Sequence, residues 1–580
     1  MYRTLAEEFH ESASHHAERE AVAMLHDGAY QPLTYAELAK RVRSVASSLQ
    51  ADGVSKGDAV AIMLPNCPKW LIADLACAMI GSVVVPIHTT YNEHYVSYIL
   101  NHSGAAYAFF GQSLYETHAE TLSKSSLKRV YLVSDGEPSQ NDTRIKNFND
   151  LLDHDAEPRP AALTPDDLHT IVYTSGTTGQ PKGVELTHKN IVSNVRAVTA
   201  HIPVFATDRF FSFLPLSHIL ERTAGYYAPL LSGASIYFGR GSKTMIEDIK
   251  LAKPTIVISV PRVFERVHEK VIAKFSRTPL LHRFFALGMH ASHKRIAGHA
   301  TALDHLMHGI FELLVYRKVK AALGGRLRFA ISGGAALGKH IAEFFESLGV
   351  LLLEGYGLTE TSPVLSANKP DHYRFGTVGT PLRTVEIKIG ESGEILAKGD
   401  GVMRGYHHAP DATKEVMGDD GWLHTGDLGS VDADGFLTII GRLKEMIVLS
   451  SGRNIFPVPT EQALEESKYI EQAMVYGADN NRHIAALIVP AFDELHAWCD
   501  SHSVTYRLPG VLENSEVLRH YRSEIKRSLS RMQHFEQVEH FKLVPEAFTQ
   551  ENDLLTPTLK LKRGMIINRY NFDGRDKKII

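Results

Sequence analysis

Cysteine is scarce. Only Cys67, Cys77 and Cys499 occur in 580 residues. They are too few and too scattered for a disulfide framework or a zinc site, and a reducing cytosol is the simplest setting. No sign of charge dominates either. Sixty-two Lys and Arg stand against 66 Asp and Glu, a formal net charge of −4, which removes any global electrostatic case for nucleic acid. Long apolar runs are missing. The longest, Trp70 to Ile87, is broken by Asp74 and Pro86 and reads as helix, turn and strand rather than a membrane span. The opening segment Met1–Glu8 is acidic and has no apolar core, so no signal peptide is expected. Internal repeats and low-complexity segments are absent.

What is present is an ordinary globular composition, 44% hydrophobic and 22% charged, in a chain too long for one hydrophobic core. Thr34 and Glu37 form a capping-box pattern ahead of Leu38, Val42, Val45 and Leu49 at helical spacing. Apolar runs at 59–64, 82–87 and 106–110 alternate with a helical segment at 68–80. A second series follows, with a helix at 190–199 and strands at 209–213, 235–238, 255–260, 327–332 and 350–354. Strands alternating with helices predict parallel sheets covered on both faces. From 376 to 440 the runs become short and β-rich, separated by Gly and Asp, and a small antiparallel subdomain is expected. Beyond Arg442 the pattern is α+β. The fold class is therefore α/β: a large N-terminal domain (1–441) of two parallel sheet subdomains plus a small β subdomain, and a small α+β C-terminal domain (442–580).

Residues 266–320 stand apart. They hold ten Lys or Arg against three acids, a net of +7 in a chain of net −4, with apolar sets Leu281, Phe285, Met289 and Leu303, Leu306, Ile310, Leu313 at helical spacing. A basic amphipathic stretch suits either a solvated helical insert on the core or a surface resting on anionic lipid. Its histidines are irregularly spaced and lack a carboxylate or thiolate cluster, so no metal site is assigned there.

The most telling segment is Tyr173-Thr-Ser-Gly-Thr-Thr-Gly-Gln-Pro-Lys-Gly-Val184. Glycines let a backbone approach an anion. The hydroxyls and N–H groups of Thr174, Ser175, Gly176, Thr177, Thr178 and Gly179 can wrap a polyphosphate, with Lys182 as a point charge. It is not a Walker A loop, because Gln180 and Pro181 separate Gly179 from Lys182. Further segments follow in order: Leu214-Pro-Leu-Ser-His-Ile-Leu-Glu221, Ser332-Gly-Gly-Ala-Ala-Leu337, Glu354-Gly-Tyr-Gly-Leu-Thr-Glu-Thr361, Gly421-Trp-Leu-His-Thr-Gly-Asp-Leu428, Gly441-Arg-Leu-Lys-Glu-Met446, Ser451-Gly-Arg-Asn454 and Leu555-Thr-Pro-Thr-Leu-Lys-Leu-Lys-Arg563. Together these motifs resemble the adenylate-forming superfamily of acyl-CoA synthetases, adenylation domains and luciferases, and most of all the long-chain fatty acyl-CoA synthetases, from about Thr34 to Arg563.

That resemblance implies an AMP-forming acid–thiol ligase using ATP, Mg²⁺ and coenzyme A. It places His218 at the carboxylate pocket and Gly333, Gly334 and Ala335 beside adenine and the acyl entrance. Tyr356 and Gly357 are placed against adenine, Thr359 at the α-phosphate, and Glu360 on Mg²⁺, which takes oxygen ligands. Asp427 is expected on the ribose hydroxyls, Arg442 on the nucleotide, Lys444 at a hinge and Lys560 as the catalytic lysine. Arg453 or Asn454 faces the thiol acceptor. Lys562 and Arg563 read as surface charges. A fatty acid is the expected substrate. Transfer to a carrier-protein thiol, or another carboxylic acid, stays open as an alternative. The expected location is cytoplasmic, with peripheral membrane contact through 266–320, and the sequence does not give an oligomeric state.

Overall fold

The computed structural model describes residues 2–134, 142–154, 156–159, 161–174, 180–241, 244–275, 278–296, 299–478, 480–550, 552–556 and 560–570, without the side chains of 273, 274, 279–282, 293 and 314. The chain divides into two compact units. The first comprises Met1–Lys388, Leu396–His424 and Asp432–Leu437, and the second Ile389–Ile395, Thr425–Val431 and Thr438–Ile580.

The first unit holds two large sheets. One has the spatial order Gly405–Tyr406, Lys182–Thr187, Leu168–Thr174, Val83–Pro86, Ala59–Met63, Tyr107–Gly111, Arg129–Val133, Ile145–Asn147. Its strands from Leu168–Thr174 to Ile145–Asn147 run parallel. The two at the other end pair antiparallel. The second sheet has nine strands, and those from Leu352–Gly357 across to Glu20–His26 are parallel. Parallel sheets with covered faces are what the alternating pattern implies. The antiparallel pair Glu20–His26 and Ala29–Thr34 at the edge of the second sheet was not anticipated from the sequence.

Local signals explain the elements. Thr34 caps its helix reciprocally with Glu37. Helix Pro68–Ile80 begins on Pro at its first turn and ends on Gly81 in the left-handed region, φ 76°, the expected Pro-in, Gly-out asymmetry. That helix is buried along nearly its whole length, Asp74 included. Asp74 is satisfied by Tyr227 Oη at 2.7 Å, Tyr226 Oη at 3.0 Å and an ion pair to Arg222. Arg222 donates in turn to Thr170 Oγ1 at 2.7 Å and to Tyr227 Oη at 2.8 Å. The fully buried network ties the Pro68–Ile80 helix to the Leu168–Thr174 strand and to the π-helical turn Glu221–Tyr227. Losing one partner of such a buried pair costs about 3–5 kcal/mol, because the other charge is stranded.

The stretch with excess basic charge forms helices Pro261–Phe275, Pro279–Ile296 and Ala302–Phe311, a π turn Glu312–Tyr316, and Arg317–Ala322. Phe285 and Phe311 pack into a core cluster with Phe344 and Phe345, and Met289 lies against it. The side chain of Leu281 lies outside the description. The second apolar set does not pack: Leu303, Leu306, Ile310 and Leu313 are 67%, 61%, 39% and 57% exposed. Among the described residues no helix is long and apolar enough to cross a membrane.

Strands Val385–Ile389, Glu394–Gly399, Leu423–Val431 and Leu437–Arg442 make a four-stranded sheet. The second unit is built around a sheet of Ile470–Ala478, His483–Pro490 and His540–Leu543, the first pair antiparallel and the second parallel. Helices Pro457–Glu465, Phe492–Ser501 and Ser515–Ser528 contribute to its core cluster.

Candidate active site

In the first unit the site is assembled at strand ends. Thr174 closes the Leu168–Thr174 strand opposite Lys182, and its Oγ1 donates to the Lys182 carbonyl at 3.4 Å. Ser175, Gly176, Thr177, Thr178 and Gly179 lie outside the described residues. Lys182 holds its Nζ 4.9 Å from the centroid of the Tyr406 ring, a cation–π distance. The Tyr406 hydroxyl donates to Glu360 Oε1 at 2.7 Å. A cation, a phenol and a carboxylate therefore form one chain from the Lys182–Thr187 strand to the Thr359–Thr361 turn. The pairing of Tyr406 with Val184 holds its backbone in place, and its N–H donates to Thr413 Oγ1 at 2.8 Å. Tyr406 escaped the sequence reading, since nothing local marks a tyrosine whose partner is 46 residues away.

The Leu352–Gly357 strand carries Tyr356 and Gly357, both half-buried. Gly357 is required sterically: a Cβ there would collide with the Pro363 carbonyl. Thr359 and Glu360 follow in a short 3₁₀ turn, also half-buried. Glu354, at the end of the buried part of the strand, accepts from the Leu337 N–H at 3.0 Å. Burial pushes its carboxyl up to about 8. Phe329–Ser332 lies beside it, and the strand leaves into Gly333, Gly334 and Ala335. Gly334 has φ +84°, a conformation glycine adopts without strain.

His218 is half-buried at the start of the helical turn that carries Glu221 and Arg222. Its ring stacks on His88 at 6.5 Å. His88 Nδ1 lies 2.6 Å from Ser217 Oγ, and burial pushes the His88 imidazole down to about 4, so it is neutral at physiological pH. Glu221 is buried, and burial pushes its carboxyl up to about 8, with Ser212 opposing.

In the second unit Asp427 is buried on the Leu423–Val431 strand, and its Oδ1 accepts from Arg442 Nε at 2.7 Å. The turn before it is fixed by Gly426, φ +71°, whose N–H donates to Glu394 Oε1 at 3.0 Å. Lys444 sits in the 3₁₀ turn Leu443–Glu445. Arg453 places its guanidinium 4.4 Å from the Phe535 ring, while Asn454 opens a short strand and is exposed. Lys560 is exposed, with its backbone tied to Thr556 by bonds of 2.8 and 3.0 Å. Pro557, Thr558 and Leu559 of its motif lie outside the described residues. Lys562 and Arg563 are not the surface charges expected. Lys562 pairs with Asp553, and Arg563, 19% exposed, pairs with Glu461 at 2.8 Å and bonds the Val475 carbonyl at 3.2 Å. A carboxylate 102 residues away is what takes Arg563 inside.

The model of the AMP-binding enzyme family matches residues 9–407, and that of the AMP-binding enzyme C-terminal domain matches 444–571. The chain belongs to the AMP-binding enzyme family. This AMP-binding enzyme is 34% identical over 560 residues to the long-chain-fatty-acid–CoA ligase FadD15 of Mycobacterium tuberculosis, covering 94% of this chain and 92% of that one. It is 31% identical to the peroxisomal long chain acyl-CoA synthetase 7 of Arabidopsis thaliana, covering 92% and 80%. Among solved structures, the adenylation domain of a carboxylate reductase from Mycobacterium chelonae superposes with a TM-score of 0.79 at 24% identity, covering 98% of this chain and 90% of that one. The o-succinylbenzoate CoA synthetase of Bacillus subtilis gives 0.71 at 22% identity, covering 97% and 98%. At these identities the structures establish shared architecture. The α/β expectation and the superfamily resemblance both hold.

Proposed function

We propose that this protein is an ATP-dependent, AMP-forming ligase that joins a long-chain fatty acid to coenzyme A. The observation that carries the reading is the chain Lys182–Tyr406–Glu360. It fixes a cation and a carboxylate, the cation on the residue paired with Thr174, in a member of a family whose similar members include long-chain fatty acid–CoA ligases.

A carboxylate cannot expel oxide, so it needs a better leaving group. One of its oxygens attacks the α-phosphorus of ATP, the bond to pyrophosphate breaks, and an acyl-AMP forms. The thiol sulfur of coenzyme A then attacks the acyl carbon, loses its proton, and AMP departs with the electron pair. The first step brings an anion to a polyanion, so the chain's task is electrostatic. Lys182 and Lys560 supply positive charge, and the hydroxyls of Thr174 and Thr359 supply donors. Preorganised groups of this kind are worth about 3–4 kcal/mol each in a transition state. The residues suit Mg²⁺: Glu360 is a half-buried carboxylate held by the Tyr406 hydroxyl and set between Thr359 and Thr361 in sequence, and carboxylate and hydroxyl oxygens are the hard donors such an ion takes. When bound by Glu360 it would neutralise phosphate charge. Tyr356 offers a half-buried ring to adenine, the 333–335 turn an opening without side-chain bulk, and His218 a polar group to the carboxylate. Asp427 and Arg442 are a pre-set pair for ribose. We assign residues 1–441 to activation and 442–580 to a moving domain, with a hinge near Lys444.

A panel of acids, from short to very long, tested for AMP release with ATP and coenzyme A decides the reading. Release peaking with long-chain acids is expected. Release only with a holo carrier protein would replace the acceptor, and release only with short or aromatic acids would replace the substrate.

The partner surface we propose is an anionic bilayer. The exposed Leu303, Leu306, Ile310 and Leu313 run along one helical stripe, and Lys294, Arg295, Arg317, Lys318 and Lys320 flank it in sequence. Charge complementarity selects lipid over a second copy, since two such surfaces would repel. Flotation with phosphatidylserine vesicles is expected to carry the native protein and not Leu306→Glu/Ile310→Glu. Equal flotation of both, or a salt-independent self-association through this stripe, would refute it.

A further inference from the structure

His483 opens the His483–Pro490 strand and His540 opens its parallel neighbour His540–Leu543. Ala485 is register partner to His540, and residues two apart share a sheet face, so both imidazoles stand on the same side. Their ring centroids are 4.6 Å apart, tilted by 50°. Glu539 precedes His540, and its Oε2 lies 3.9 Å from His483 Nδ1. One ligand atom from each of the three residues lies within 4.8 Å of the other two.

We propose that His483, Glu539 and His540 form a binding site for a divalent transition-metal ion, zinc(II) being the best match, on the sheet of the second unit. Two imidazoles and one carboxylate are a donor set zinc accepts, with a fourth position left for water. Ligand atoms on tetrahedral zinc at about 2.0–2.1 Å lie about 3.4 Å apart, so a small side-chain rotation closes the site. Glu539, 58% exposed, is free to make it. The His540 ring neighbours His483, with Arg522 and Glu539 also close to it. Arg522 adds positive charge near the ring, which Glu539 offsets, so affinity is moderate. None of its three ligands is among the residues assigned above to nucleotide chemistry. A bound ion would fasten the starts of two neighbouring strands and stabilise the second unit by mass action.

The test uses the full chain, stripped with EDTA and titrated with ZnCl₂ against a chromophoric chelator. The native protein is expected to bind one more equivalent than His483→Gln/His540→Gln, with Glu539→Gln weakening that equivalent on the order of tenfold or more. Zinc is expected to raise the melting temperature of the native protein and not of the double variant, while His496→Gln behaves as native. Millimolar Mg²⁺ should not compete, because it prefers oxygen ligands. Equal stoichiometry and affinity in native and double variant would overturn the site. Melting in EDTA checks that the variants fold, and if the double variant does not, Glu539→Gln decides, unchanged zinc affinity overturning the site. Ligase activity is not read, so failure here leaves the proposed function standing and the reverse also holds.

Discussion

Tyr406 joins two groups that the sequence keeps far apart: its ring lies 4.9 Å from Lys182 Nζ and its hydroxyl 2.7 Å from Glu360 Oε1. The hydroxyl sets the orientation of the carboxylate proposed to hold Mg²⁺. Tyr406→Phe keeps the ring under Lys182 and removes the bond to Glu360. A hydrogen bond to a charged group is worth about 1.5–3 kcal/mol, so acyl-AMP formation is expected to fall about 10- to 100-fold, with half-saturation shifted to higher Mg²⁺. Pyrophosphate–ATP exchange across a Mg²⁺ titration measures it, and unchanged exchange would detach Tyr406 from the site.

Lys560 is exposed on the second unit. Lys560→Ala is expected to depress acyl-AMP formation by about 10²–10³-fold, the range for losing one aimed electrostatic donor. Thioester formation from supplied acyl-AMP should be nearly unchanged. Equal loss in both half-reactions would remove the assignment.

Asp74 is buried between Arg222, Tyr226 and Tyr227. Asp74→Ala strands the Arg222 charge and is expected to cost about 3–5 kcal/mol, read as a lower denaturation midpoint. A midpoint within error of the native one would mean the network is not structural.

Glu221 sits above its ordinary carboxyl range, at about 8, because it is buried. The folded state keeps a proton that the unfolded chain releases, so stability declines as pH rises from the carboxyl range toward 8 and levels off beyond. Glu221→Gln carries no such proton. Its melting temperature is expected to fall less than the native protein's between pH 5.5 and 8, and parallel pH profiles would refute this. Glu354 acts in the same direction.

The sequence made elements with local punctuation legible. Pro68 and Gly81 bound their helix, and Thr34 with Glu37 marks the start of another. Ser235–Phe238 is a short buried strand whose apolar run matches its limits. What stayed hidden depends on partners far along the chain. Arg563 looks like one more charge in a basic tail until Glu461 is folded against it. Tyr406 gains meaning only beside Lys182 and Glu360. The stripe Leu303–Leu313 has core periodicity, yet no element among the described residues covers it, because periodicity gives a helical face and not what lies opposite. Asp74 shows the reverse: read as a break in an apolar run, it is the centre of a buried network.

Exchange of labelled pyrophosphate into ATP, with and without a long-chain fatty acid and before any coenzyme A is added, tests the central claim most directly. Exchange that appears only when the acid is present is expected. Folded protein that exchanges with no acid of any length, or equally well without one, would contradict it.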